Sequence, residues 1–161
     1  MSDAAPAQGA TAGTLRAIHL RPGARVPVVR VERATAVADR GLAGDHAVGG
    51  RRQVTLLAVE AWRDACEALG RDLDPAVRRA NLLVEGIDLR AAIGGAITLG
   101  DVVIDVLGET RPCELMDDDG RIGLMAALRP ERRGGVFGRV CVGGELCVGM
   151  AVASAPARGV G

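Results

Sequence analysis

The run Ile97-Thr98-Leu99-Gly100-Asp101-Val102-Val103-Ile104-Asp105-Val106-Leu107 decides the fold class. β-Branched residues dominate it, and Gly100-Asp101 interrupts it. Two strands joined in a hairpin, or one bulged strand, have this pattern. Similar stretches recur on both sides. Residues 14–20 and 26–37 alternate roughly and read as strands. Residues 54–57 and 82–85 are shorter apolar strands. Gly134-Gly135 leads into a strand over 136–142, and Gly143-Gly144 turns it into 146–148.

Helical periodicity is scarcer. Val59, Trp62, Cys66 and Leu69 share one face of a helix over 58–69, which Gly70 ends. Asp74-Pro75 starts a short helix that runs to about Arg79. A modest helix over 119–128 stops before Pro130. Helices do not alternate regularly with strands, so a doubly wound sheet is disfavoured. The expected fold is mainly β with peripheral helices, an α+β chain closed as a small barrel. A leader over 1–13 and a flexible tail over 154–161 flank a single domain over 14–153.

Composition narrows the function. Of 161 residues, 48% are hydrophobic, so the chain is not a disordered polypeptide. Trp62 and Phe137 are its only aromatic residues, too few for a base-stacking platform. Zero formal net charge also argues against nucleic acid as a partner. No apolar run is long enough to span a membrane, and MSDAAPAQGA lacks the charged and apolar regions of a secretory signal. A cytoplasmic location with reduced thiols is expected. All 20 basic residues are arginine. Without lysine the chain cannot form an aldimine with pyridoxal phosphate, so any such chemistry belongs to a partner.

The four cysteines are Cys66, Cys113, Cys141 and Cys147, with no C-x-x-C and no zinc spacing. Cys113 stands apart in Gly108-Glu109-Thr110-Arg111-Pro112-Cys113-Glu114-Leu115-Met116, where a strand-like segment breaks into a polar turn. The other three lie in apolar patterns that read as core. Pro112 restricts the backbone before Cys113, and the neighbouring Arg111 cation favours a thiolate. Such a sulfur can bind a soft metal, carry a persulfide or attack a disulfide. The plain alternative is an inert loop cysteine.

Other polar clusters are less specific. Arg78-Arg79-Ala80-Asn81 precedes a strand and could hold a phosphate or an amide-rich heterocycle, or simply form a solvated helix end. Asp45 and His46 could pair as acid and base or as ligands, or serve a turn. Arg51-Arg52-Gln53 and Arg132-Arg133-Gly134-Gly135 set arginine beside glycine-rich backbone, suited to an anion. Asp117-Asp118-Asp119 lacks calcium-loop spacing and reads as a turn and helix cap. His19 sits in a strand, as packing or exposed surface.

Four segments in order resemble a MOSC domain, named after the C-terminal part of molybdenum cofactor sulfurases. They are GLAGDHAVGGRRQVTLL, RRANLLVEGIDL, GETRPCELMD and RGGVFGRVCVGGELCVG, within residues 15–152. The resemblance implies a β-barrel and a functional cysteine at Cys113. It also implies one of two chemistries. In a sulfur carrier, Cys113 takes a persulfide from a pyridoxal-dependent cysteine desulfurase and delivers it to a metal-sulfur or molybdenum cofactor acceptor, with Arg111 favouring the thiolate and Arg52, Arg79 and Asn81 orienting a small anionic ligand. In a molybdenum-pterin reductase of N-hydroxylated compounds, Cys113 ligates molybdenum and the Arg79–Asn81 pair binds the cofactor. A non-catalytic barrel that binds an anion or a partner is the third expectation. The resemblance departs at Ala47, where a second histidine often follows Gly-Asp-His, and in the short leader where relatives carry a further N-terminal region.

Overall fold

The computed structural model describes residues 12–156. Its strands are β1 (Ala12–Leu20), β2 (Val29–Val31), β3 (Arg33–Val37), β4 (Gly41–Leu42), β5 (Val54–Ala58), β6 (Leu82–Glu85), β7 (Ala96–Leu99), β8 (Val102–Glu109), β9 (Val136–Val142), β10 (Gly144–Cys147) and β11 (Ala151–Ala155). The α-helices are α1 (Val59–Leu69), α2 (Leu89–Ala92) and α3 (Leu124–Leu128), with 3-10 turns at Pro75–Arg78, Glu114–Asp117 and Pro130–Arg132.

An eight-stranded sheet runs β11-β7-β8-β9-β5-β6-β1-β2, and a β11–β1 pairing closes it into a barrel. β2 hangs outside that closure, on the edge of β1. β5 and β6 run parallel because α1 and the Pro75–Arg78 turn carry the chain back between them. β10, β3 and β4 make a second, three-stranded sheet.

Alternation sorts the side chains into two cores. Leu15, Val54, Leu56, Ile104, Val136 and Val140 face the barrel interior. Leu57, Leu83, Trp62, Leu124 and Leu128 fill a second cluster between the barrel wall and α1 and α3. β5 is buried at all five positions because it faces both cores. α1 contributes Trp62, Ala65 and Cys66, the face that the spacing predicts. Trp62 donates its indole N–H to the Leu73 carbonyl at 2.8 Å, which satisfies its polar edge.

The main differences from the sequence reading lie at element ends. The stretch 26–37 is not one strand: β2 pairs with β1, whereas β3 pairs with β10 in the other sheet. Glu32 is where the chain changes sheets, its carbonyl accepting from Val148 N at 3.0 Å. Residues 96–109 form the antiparallel hairpin, settling hairpin against bulged strand. The helix expected over 119–128 shrinks to α3, since Asp119 and Gly120 both have positive φ. Ala12 and Gly13 belong to β1 rather than to a leader, and Ser154 and Ala155 belong to β11 rather than to a tail. The rest of the expected leader and tail, 1–11 and 157–161, lies outside the described residues. Among the described residues, no helix is long and apolar enough to cross a membrane.

Candidate functional site

The sequence candidates fall into two groups of different character. Asp45 and Asn81 form a closed internal lock with Arg21, and Arg79 lies outside it. The Asp45 carboxylate has no exposed surface. Its Oδ1 accepts from Arg21 N at 2.7 Å, Arg21 Nε at 3.2 Å and Asn81 Nδ2 at 3.0 Å. Its Oδ2 accepts from Arg21 Nη2 at 2.9 Å and Ala47 N at 3.1 Å. Asn81 is equally occupied. Its Nδ2 also donates to the His19 carbonyl at 3.0 Å, and its Oδ1 accepts from Thr55 N at 3.0 Å and Arg21 Nη2 at 3.2 Å. Both amide hydrogens and the acceptor oxygen are thus in use. Arg79 turns its guanidinium onto the carbonyls of Gly23, at 2.8 Å, and Val26. Asp45 and Asn81 tie β1, β5 and β6 to the loop after β4 and have no polar atom left for a ligand, whereas Arg79 is half-buried and its Nε has no partner among the described residues. His46 is exposed, and Asp45's oxygens are filled by other donors, so the expected acid/base pair does not form.

Electrostatics agree with a structural lock. Burial pushes the Asp45 carboxyl up, but the hydrogen bonds from the Arg21 side chain and backbone outweigh it and hold the value low. His19 is buried, its Nδ1 3.2 Å from the Ala80 carbonyl, and burial holds its imidazole below the usual 6.5. In both cases the unfolded chain binds the proton first, so folding stability falls as pH falls. The His19 contribution is intact above 6.5 and is lost below it towards the folded value. The Asp45 contribution is intact above 3.8 and is lost below that. Urea midpoints should therefore drop between pH 7.5 and 5, and His19→Gln should flatten that segment; an unchanged slope would contradict the assignment.

Cys113 belongs to the second group. It is the exposed cysteine among the described ones; Cys66 is buried, and Cys141 and Cys147 are half-buried. Burial and the nearby Asp105 also push the Cys141 thiol up, which suppresses its reactivity. Cys113 opens the 3-10 turn Glu114–Asp117, its carbonyl accepting from Met116 N at 2.9 Å. Asp117 in that turn caps α3, accepting from Met125 N at 2.8 Å, as the acidic run predicts.

Arg111 does not brace this segment. Its side chain is 87% exposed and, among the described residues, pairs with Glu109 at 4.0 Å. Arg78 braces it. Its Nη2 donates to the Thr110 carbonyl at 2.8 Å and its Nε to the Gly134 carbonyl at 3.0 Å. Burial lowers its pKa to about 10, with Cys113 favouring the charged form and Arg52 opposing it. It therefore stays cationic at neutral pH. Arg52 is exposed and lies over the Phe137 ring, 5.0 Å from the centroid. Arg133 donates to the Ala127 carbonyl at 3.1 Å and serves the turn before β9. The sequence offered one signal for Arg78, its place in the Arg78-Arg79 pair, but which guanidinium turned inward was not visible there.

Two cavities lie elsewhere. One of about 310 Å³ is bounded by Ala61, Leu89, Arg132 and Gly135; another of about 420 Å³ runs beside Trp62 and Cys66. Neither is lined by Cys113.

The arrangement of the barrel with an exposed cysteine beyond β8 can be set against known proteins. The family model of the MOSC domain matches residues 43–153. The chain belongs to the MOSC domain family. Solved structures agree on the fold. The YuaD protein from Bacillus subtilis superposes with a TM-score of 0.76 at 18% identity, covering 89% of this chain and 96% of that one. YiiM from Geobacillus stearothermophilus gives 0.70 at 16% identity, over 92% of this chain and 77% of that one. YiiM from Escherichia coli gives 0.67 at 16%, over 91% and 71%. A search of curated protein sequences gives no significant match. At these identities the likeness of this MOSC domain to its neighbours is one of fold.

Proposed function

We propose that this MOSC domain handles sulfur, with Cys113 accepting it as a persulfide. The observation that carries the reading is the exposed Cys113 thiol, the most accessible of the four, on a segment held by the half-buried Arg78. The Cys113 thiolate attacks the terminal sulfur of a donor persulfide. The donor S–S bond breaks, the donor thiolate leaves, and a new S–S bond makes Cys113 the persulfide. No net oxidant is consumed. Release to a metal-sulfur or molybdenum cofactor acceptor as sulfide takes two electrons. A thiol provides them: it attacks the inner sulfur, sulfide departs, and a second thiol clears the disulfide left on Cys113. The donor is a separate pyridoxal-dependent cysteine desulfurase, because this lysine-free chain cannot generate the persulfide by that chemistry. A reducing compartment such as the cytoplasm suits the cycle. Arg52, an exposed cation, would meet an anionic acceptor.

The second family chemistry, a molybdenum-pterin reductase of N-hydroxylated compounds with Cys113 on the metal, fits these residues less well. A pterin cofactor would draw on the Asn81 amide, whose hydrogens and oxygen are all taken by protein partners. No step is derived through that group. Near-stoichiometric molybdenum and pterin in protein purified from a cofactor-producing host would overturn the preference.

The sulfur reading is tested on the intact chain. With cysteine and a desulfurase, the wild type should gain one sulfur atom by mass, and Cys113→Ser should gain none while melting like the wild type. Equal loading of the two proteins would refute it.

A further inference from the structure

The segment that bears Cys113 has an unusual brace. Thr110 and Met116 flank the cysteine, three residues before it and three after it. Both are held by one side chain that comes from the distant Pro75–Arg78 turn. Arg78 Nη2 donates to the Thr110 carbonyl at 2.8 Å, and Nη1 lies 3.8 Å from Met116 Sδ. Nε donates to the Gly134 carbonyl at 3.0 Å, in the turn that enters β9. Every nitrogen of the guanidinium therefore has a partner, each on a different segment. A planar fork does this with little loss of side-chain freedom per bond.

The charge of Arg78 is as unusual as its geometry. Among the described residues none of the ion pairs includes Arg78; its partners are carbonyl dipoles and a thioether. Arg111, by contrast, points to solvent. The neighbouring turn is shaped around the same guanidinium. A Cβ on Gly134 would sit 2.7 Å from the Thr110 oxygen, 3.0 Å from Arg78 Nη2 and 3.3 Å from Pro112 Cδ.

We infer that Arg78 is the positioning residue of Cys113: one half-buried guanidinium fixes the strand end before the cysteine, the turn after it and the adjacent Gly134 turn. This rests on the sulfur reading only in taking Cys113 as the reacting group. Its test needs no sulfur donor, so the two readings fail separately.

Arg78→Gln and Arg78→Lys each keep a donor but cannot span the two carbonyls. Amide exchange in segment 113–117 and the rate of iodoacetamide labelling at Cys113 at a fixed pH, both read by peptide mass spectrometry, report release of the segment. Exchange at Met116, whose N–H closes the turn, should quicken about tenfold or more in both variants, as a constrained turn is released. The labelling rate of Cys113 should rise in both variants while those of Cys141 and Cys147 stay as in the wild type, because the release is local. Wild-type exchange in either folded variant, or an unchanged Cys113 labelling rate in folded Arg78→Gln, would overturn the inference. If Arg78→Gln does not fold, exchange in Arg78→Lys decides alone.

Discussion

Asn81→Ala should cost the fold about 4 kcal/mol, at the upper end of single-residue effects. The substitution leaves Thr55 N–H without the acceptor now 3.0 Å away and the His19 carbonyl without its donor, also at 3.0 Å. Each buried group so orphaned costs roughly 1–3 kcal/mol. It also strips a donor from the wholly buried Asp45 carboxylate. A domain of this kind has only about 5–15 kcal/mol in hand. The urea midpoint should fall accordingly with an unchanged denaturant slope, because the exposed surface is the same. Asn81→Asp should be worse still, since it sets a second carboxylate where the amide now lies 3.0 Å from Asp45 Oδ1. A loss below about 1 kcal/mol for Asn81→Ala would mean that the lock does not carry load.

Gly135→Ala is the second large effect, and its cause is backbone rather than polarity. Gly135 has φ +98, and a Cβ there would stand 2.2 Å from the Leu56 carbonyl oxygen. That oxygen belongs to the backbone of β5 at the barrel wall, so no side-chain rotation relieves the overlap. Positive φ alone costs about 1–3 kcal/mol in a residue with a Cβ. With the clash the loss should reach about 3 kcal/mol or more, a melting temperature lower by about 10 °C. Gly50→Ala isolates the two terms, because Gly50 has φ +71 but nothing within 4 Å of its Cβ position. It should lose about 1 kcal/mol. Equal losses at the two glycines would show that the approach to β5 is unimportant. Gly135 also matters for the site, since its carbonyl accepts from Thr110 N at 2.9 Å. Displacing that turn should disturb the segment that carries Cys113.

What was legible in the sequence follows from how far each interaction reaches. The β7–β8 hairpin and the buried face of α1 depend on neighbours a few residues apart, and alternation and 3.6-residue spacing report such neighbours directly. The split of 26–37 between two sheets depends on pairing with β1 and β10, which no local window contains. The same limit governed the site. The place of Cys113 at an element end is legible because a break after a strand, a proline and a polar turn are local features. The side chain that holds its segment is not. Arg111 is close in sequence and points away, whereas Arg78 holds Thr110 across 32 residues. Asp45 and Asn81 look like ligands in isolation. Only their mutual bond, 36 residues apart in sequence, shows that they satisfy each other. Polar residues that look like ligands in sequence can therefore serve the scaffold.

The central claim is that Cys113 alone receives sulfur. The most direct measurement is peptide mapping by mass spectrometry after the wild-type chain has been incubated with cysteine and a cysteine desulfurase and its persulfides have been trapped by alkylation. The added sulfur should reside on the peptide containing Cys113, with Cys66, Cys141 and Cys147 unmodified. Sulfur spread over the other cysteines, or absent from the Cys113 peptide, would contradict the account.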